Sequence, residues 1–91
     1  MTSTKTQRLL DIVAYLVARR FPVSVDELMG AVPAYAGRWR EGDDSARRSF
    51  ERDKDDLRTL GIPLETVEYS VEGVTEPGYR ITRRDFYSAP A

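Results

Sequence analysis

The chain has no cysteine and no histidine among its 91 residues. Without them there are no disulfides, no Cys/His metal site, no thiolate nucleophile and no imidazole to act as the base of a Ser or Cys hydrolase. Long apolar runs are missing as well. Nothing approaches the roughly 18 unbroken apolar residues of a membrane span, and the opening Met1-Thr-Ser-Thr-Lys-Thr lacks the apolar core of a signal peptide. The acids alternate with arginine at helical spacing instead of gathering among apolar residues, the pattern of a solvated face and not of a carboxylate active site. A cytoplasmic, non-enzymatic chain with no cofactor, metal or membrane partner is therefore expected. Positive charge is in short supply too: 14 Lys and Arg against 15 Asp and Glu leave a net charge of −1. Any basic surface must be local. Residues 1–20 carry Lys5, Arg8, Arg19 and Arg20 against Asp11, whereas residues 61–91 carry five acids against three arginines.

What is present suits one small core. Hydrophobic residues make up 41% of the chain, an ordinary globular share, and so short a chain supports a single core. From Thr6 to Arg20 the apolar Leu9, Leu10, Ile12, Val13, Leu16 and Val17 recur at three- and four-residue steps, which predicts an amphipathic first helix. Arg19 and Arg20 suit the negative end of its dipole, and Phe21-Pro22 stops it. Ser24-Val-Asp-Glu27 reads as a capping box: Ser24 accepts from the Glu27 amide, the Glu27 side chain returns to the Ser24 amide, and Val23 and Leu28 form the hydrophobic staple. The second helix is short, about 25–31, because Gly30 weakens it and Pro33 bars continuation. Residues 33–43 show neither period and read as an ordered connector anchored by Tyr35 and Trp39.

Asp43 or Asp44 can cap a third helix over about 45–60, with Ala46, Phe50, Leu57 and Leu60 on one face and Asp53 at its margin. Gly61 fits the left-handed position past its end, and Ile62 can pack back on Leu57 in a Schellman closure. Two strand-like runs follow, 64–71 and 78–82, joined through Glu72–Pro77 into a hairpin. Leu64 and Val67 lie on opposite parities, which predicts a bulge near Thr66, while Tyr79 and Ile81 face inward. Three helices followed by a β-hairpin wing is the order of a winged helix-turn-helix, an α+β fold whose third helix enters the DNA major groove. This domain is expected over residues 1–84, with 85–91 opening a linker toward a further C-terminal region.

The third helix carries the candidate chemistry. At about 100° per residue, Arg48 and Arg52 stack one turn apart opposite Phe50 and Leu57, with Ser45 and Ser49 beside them and Arg47 on the other flank. Arginine forks onto guanine, and serine serves a base or a phosphate. A plainer account pairs Arg48 with Asp44 or Glu51, and Arg52 with Asp55 or Asp56, at helical spacing. Trp39, between Arg38 and Arg40, either braces a phosphate, stacks on a neighbour or simply anchors its loop. Asp53 is structural, held by an arginine from another element or by backbone amides, since a lone carboxylate at the edge of a core is costly. Arg80, Arg83 and Arg84 are the wing's cations, opposed by Glu72 and Glu76 at its tip.

The run Arg48-x-Phe-x-Arg-Asp-Lys-x-x-Leu57 and its sequel Leu60-Gly-Ile-Pro63, followed by Gly78-Tyr-Arg-Ile81 and Asp85-Phe-Tyr87, resemble the N-terminal domain of WYL-domain transcriptional regulators of the proteasome accessory factor B/C type. The likeness covers nearly the whole chain. It implies a winged helix-turn-helix in a longer bacterial protein whose C-terminal WYL region senses a ligand. Members of that family act on promoters as homodimers or as paired homologous subunits, often in the DNA damage response. Taken with the helix face, the expectation is sequence-specific binding of double-stranded DNA at the nucleoid. Ser45, Arg47 and Arg38 would contact phosphates, and Arg48, Ser49 and Arg52 would read bases. The rival is a winged-helix protein-protein interaction module that docks the same helix face on a partner. The acidic wing tip and near-neutral charge depart from the family pattern and argue against wing contacts; the long connector differs from the tight turn of the simplest helix-turn-helix.

Overall fold

Residues 4–81 are described by the computed structural model. Helix α1 (Thr4–Val17) leads into a two-residue strand β1 (Val23–Ser24), then helices α2 (Val25–Ala31), α3 (Ala36–Arg40) and α4 (Asp44–Thr59), and the hairpin β2 (Leu64–Val71) and β3 (Val74–Ile81). The strands form one antiparallel sheet in the order β1-β3-β2. The fold is α+β, with the element order of a winged helix. Arg83, Arg84 and the expected linker at 85–91 lie outside the described residues.

α1 buries Ile12 and Leu16 and lays Leu9, Val13 and Val17 against the edge of the core. Leu10, expected on that face, is 55% exposed, because two helical steps carry it to the far side from Ile12. The helix also stops at Val17 and not at Arg20. There the Arg19 amide bonds the Leu16 carbonyl at 3.1 Å in a tighter turn, its guanidinium folds over the Tyr15 ring at 4.2 Å, and Pro22 disfavours a helical Phe21. At α2 the Ser24 hydroxyl accepts the Glu27 amide at 3.2 Å, and Val23 and Leu28 are both buried. The return arm of the box goes elsewhere: the Glu27 carboxylate accepts the Tyr15 hydroxyl at 2.7 Å, while Ser24 pairs with Gly78 in the sheet.

The connector is more ordered than its sequence suggests, for it contains α3, so that the described residues hold four helices where three were expected. Tyr35 and Trp39 are four residues apart and meet Phe50 edge-on at 6.1 and 5.9 Å. That tertiary anchorage sustains a five-residue helix that propensity alone would not. Asp43, not Asp44, caps α4, its carboxylate accepting the Ser45 and Ala46 amides. At the other end Gly61 adopts φ +85°, its amide bonds Arg58 and the Ile62 amide bonds Leu57, which is the Schellman pattern. Leu60 falls outside that closed helix and is 69% exposed, against the expectation that it joins the core face.

The hairpin is longer and tighter than expected. Glu72 and Gly73 both take positive φ, 51° and 81°, as a two-residue type I′ turn requires, so β3 begins at Val74 and includes Pro77. Proline is tolerated there because β1 covers only Gly78 and Tyr79, leaving that side of β3 open at Pro77. No bulge occurs near Thr66: pairing runs unbroken from Leu64↔Ile81 to Val71↔Val74. Among the described side chains of the hairpin, the buried apolar ones are Leu64, Tyr79 and Ile81 at its base, so Val67 on the other parity needs no bulge to bring it inward.

The core closes around Phe50, which Tyr79 also meets edge-on at 5.4 Å. Beside it lies Asp53, fully buried and not marginal. Arg8 from α1 donates to it through Nε at 2.6 Å and Nη2 at 2.8 Å, and the Tyr35 hydroxyl donates at 2.5 Å. The anticipated arginine from another element is thus Arg8. Lys54, next in sequence, is also buried; it donates to Glu51 at 2.9 Å and to the Tyr79 hydroxyl at 3.1 Å. Burial alone would lower its pKa, but these two acceptors outweigh that and raise it.

Replacing Asp53 by Ala leaves the Arg8 guanidinium without its partner and should cost about 3–5 kcal/mol in denaturant unfolding, part of which Arg8→Ala restores in the double variant. A loss below about 1 kcal/mol, the scale of an exposed pair, would contradict the buried bridge. Burial and the Asp53 hydrogen bond push the Tyr35 pKa up from 10.0 to about 12. Its folded value lies above the unfolded one, so its stabilisation is whole below pH 10 and fades as pH rises through about 12. The unfolding midpoint should fall in that alkaline window, and Tyr35→Phe should remove that component of the fall.

Candidate nucleic-acid interface

The Arg-x-Phe-x-Arg-Asp-Lys-x-x-Leu run divides by face once it is wound into α4. Phe50, Asp53, Lys54 and Leu57 are buried, whereas Arg48 and Arg52 are exposed on the opposite side, one turn apart. Three of the four acids that could have held them are bridged elsewhere. Glu51 pairs with Lys54 at 2.9 Å, Asp55 with Arg58 at 3.9 Å, and Asp56 with Lys5 of α1 at 2.8 Å. Asp44 is exposed and also makes no bridge to Arg48. Among the described residues, neither Arg48 nor Arg52 has a hydrogen bond or an ion pair, so the simple helical pairing is not formed.

The other expected residues are brought to the same end of α4 but are tied down to different degrees. Arg38 of α3 donates through Nε to Asp43 at 3.1 Å and through Nη2 to the Ser45 hydroxyl at 2.8 Å. Ser45 in turn donates its hydroxyl to Asp43 at 2.7 Å. The Ser45 hydroxyl, then the Arg38 guanidinium and the first amides of the helix hold the Asp43 pKa down to about 2. Because Asp43 occupies the Ser45 and Ala46 amides, the start of α4 does not offer those donors to an outside anion.

Ser49 is half-buried, with its oxygen 3.2 Å from the Tyr35 phenol oxygen. The single phenol proton is committed to the Asp53 carboxylate, so the hydroxyl of Ser49 donates inward to Tyr35. Ser49 lies beside Arg52 as expected, about 100° from Phe50 on the flank of the buried stripe, but its hydroxyl turns inward.

Arg47 is exposed and stacks its guanidinium 4.6 Å above the Trp39 ring. Trp39, half-buried, is fixed from below by Phe50 and from the side by its indole N–H, which donates to Asp26 of α2 at 3.0 Å. A shallow cleft of about 350 Å³ opens there between α2, α3 and α4, with Arg40 and Arg47 on its rim. Arg40, which the sequence offers only as a flank of Trp39, lines this cleft because α3 winds it there. The wing is different in character. Arg80 clasps Glu65 with two hydrogen bonds, 3.0 and 2.9 Å, and Glu68 and Glu72 are exposed along it. Among the described residues no group of three or more carboxylates could hold a metal, and no helix is long and apolar enough to cross a membrane.

A helix held by its back to a three-helix scaffold, with arginines outward and a hairpin following, is the arrangement of a winged helix-turn-helix. No family model matches the chain. Over 90 residues it is 36% identical to the proteins named PafB of Mycobacterium tuberculosis and Mycobacterium bovis, and 37% identical to the PafB of Mycobacterium leprae. Each match takes in 99% of this chain and 26% of the relative. The chain therefore spans about a quarter of the length of the curated relatives it matches.

The cap network is open to direct titration. In carbonyl-detected NMR the Asp43 carboxyl should titrate near pH 2, and Ser45→Ala should move that midpoint upward further than Arg38→Ala does. Since the folded value lies below the unfolded one, the cap's contribution is whole above the ordinary carboxylate range and is lost as pH falls through about 2. A midpoint unmoved by either substitution would mean the network is not populated in solution.

Proposed function

We propose that this chain is a non-enzymatic reading head that binds double-stranded DNA sequence-specifically, laying the N-terminal half of α4 in the major groove. The observation that carries the reading is the pair Arg48 and Arg52, exposed, one turn apart and without a partner on the face opposite Phe50. A bidentate arginine–guanine contact discriminates by about 1–3 kcal/mol, well above the 0.2–0.5 kcal/mol of a helix-surface ion pair. Groove contact is thus the use of this face that makes most of two free guanidinium forks. Arg47 contacts the backbone. Arg38 and Ser45 add phosphate contacts through whatever donors the Asp43 cap leaves, and Ser49 supports the reading face from its flank.

The match to the PafB proteins supports a role in a bacterial transcriptional regulator, with the remainder of a longer chain supplying the sensing region. Two such domains, from a homodimer or from a paired homologous subunit, would then address two half-sites at the nucleoid, in a regulon that answers DNA damage. The acidic wing favours a second reading in which the module docks on a protein. Salt separates the two, since counterion release makes groove binding fall steeply with log[salt].

Selection of bound duplexes from a random library, followed by single-site affinities, tests the proposal. Arg48→Ala or Arg52→Ala should each cost about 1–3 kcal/mol and relax one base position, whereas Arg47→Ala should weaken all sequences alike. Enrichment of no motif, together with a flat salt response, would transfer the face to a protein partner.

A further inference from the structure

Trp39 is the chain's one tryptophan, and its surroundings assign it more than an anchoring role. The indole is fixed on three sides: Phe50 meets it edge-on at 5.9 Å, Asp26 accepts its N–H at 3.0 Å, and Arg47 covers its face at 4.6 Å. A guanidinium stacked on a ring keeps all five N–H donors in its plane unspent. Arg38 is the contrast on the same surface, since its Nε and one Nη are already consumed by Asp43 and Ser45. Arg47 therefore combines restraint with unspent donors, an arrangement suited to two oxygens of a phosphate.

We infer that Trp39 is a positioning residue for phosphate recognition: it holds Arg47 at the α3–α4 cleft that Arg40 also lines, so that a phosphodiester of the DNA backbone meets a preset guanidinium. The inference rests on the DNA-binding reading of α4 and names a residue through which that reading acts. Its physical content is preorganisation. A free arginine loses rotamer freedom when it binds, and a stacked one has lost much of it beforehand. Asp26 contributes by fixing the plane of the indole. It adds one negative charge at the cleft, against the two positive charges of Arg40 and Arg47, so the rim retains a net attraction for an anion. The contact is with backbone and not with bases, and its effect should therefore be the same on every sequence.

The test has an arm without DNA and an arm with it. Without DNA, acrylamide quenching of Trp39 fluorescence should rise in Arg47→Ala, because the guanidinium that covers the ring is gone. Unchanged quenching overturns the inference. With a mixed-sequence duplex, Trp39→Leu should weaken binding roughly two- to fivefold, the range of a surface cation–π contact, and Trp39→Phe should retain nearly the wild-type affinity. Arg47→Ala should weaken binding further and lower the salt slope by about 1, and adding Trp39→Leu to it should cost nothing more. Additive losses overturn the positioning role. Because Trp39→Leu also removes a contact with Phe50, its fold is checked by circular dichroism. Should that variant not fold, the wild-type indole emission must change when duplex is added, and Arg47→Ala must abolish that change; an indole that ignores the duplex again overturns the inference. A wild-type chain that binds no duplex sinks the DNA reading itself, and this inference with it, an outcome distinct from binding that is indifferent to Trp39.

Discussion

Everything on the outer face of α4 depends on how the helix is rolled, and the roll is set by the buried carboxylate of Asp53. A lone carboxylate in that position would be prohibitive. It is made tolerable by the two-pronged grip of Arg8 and by the Tyr35 hydroxyl, which bring α1 and the segment before α3 to one point on α4. Turning the helix by a single residue, about 100°, would take Asp53 out of reach of both partners. It would also move Arg48 and Arg52 off the solvent side. Buried ion pairs contribute little net stability compared with well-packed apolar residues, and their best-attested use is to fix register. Here the register that is fixed is the outward aim of the two arginines.

Phe50 complements that polar lock with an apolar one. Tyr35, Trp39 and Tyr79 all meet it edge-on, so the connector, α3 and β3 converge on a single ring of α4. Each such pair adds about 0.5–1.5 kcal/mol beyond area burial, and together they tie the hairpin and the inserted helix to the same reference. Lys54 extends the arrangement, its ammonium lying about 5 Å from both the Phe50 and Tyr79 rings while Glu51 and the Tyr79 hydroxyl accept its protons. Asp53 and Lys54 are adjacent in sequence and opposite in charge, yet each is satisfied by different residues: α1 and the connector on one side, the hairpin on the other. The most distinctive stretch of the sequence is thus largely a device for seating α4, and of its arginine, phenylalanine, aspartate, lysine and leucine signature residues only Arg48 and Arg52 face outward.

How much of this could be read from the sequence follows from how local each signal is. The Ser24 cap, the Gly61 closure and the apolar period of α1 are written within a few residues of where they act, and they appear as expected apart from frayed boundaries, the exposed Leu10 and the Glu27 arm that turns to Tyr15. The need of Asp53 for an arginine was legible, but its supplier, 45 residues away, was not. Helix α3 escaped because five residues carry no measurable period; the one available signal was the four-residue spacing of Tyr35 and Trp39, which only Phe50 turns into a fold. The turn at Glu72-Gly73 was hidden by a glutamate in a left-handed position where asparagine or aspartate is the usual mark. At the candidate interface the outward arginines were readable from helical geometry. The cap network of Arg38 and Ser45 and the inward turn of Ser49 were not, because each depends on a residue of another segment.

A chain of net charge −1 is an awkward ligand for a polyanion only if its charges act as a sum. They do not, because screening in physiological salt limits their reach to about 8 Å. Within that range of Arg48 and Arg52, what counts is which acids remain uncompensated. Glu51, Asp55 and Asp56 are each bridged by a lysine or arginine, and Asp53 is sealed inside with Arg8. Those internal pairings leave Asp44 as the one acid of α4 without a bridge, and against it stand Arg47, Arg48 and Arg52, so the early turns keep a positive balance. The wing carries the opposite bias, since the positive charge of Arg80 is answered by Glu65 and nothing answers Glu68 or Glu72 among the described residues. On the DNA-binding reading, the hairpin tip is therefore held away from phosphate while α4 and α3 approach it. The helix end of the domain, and not its wing, would then bear on the duplex backbone.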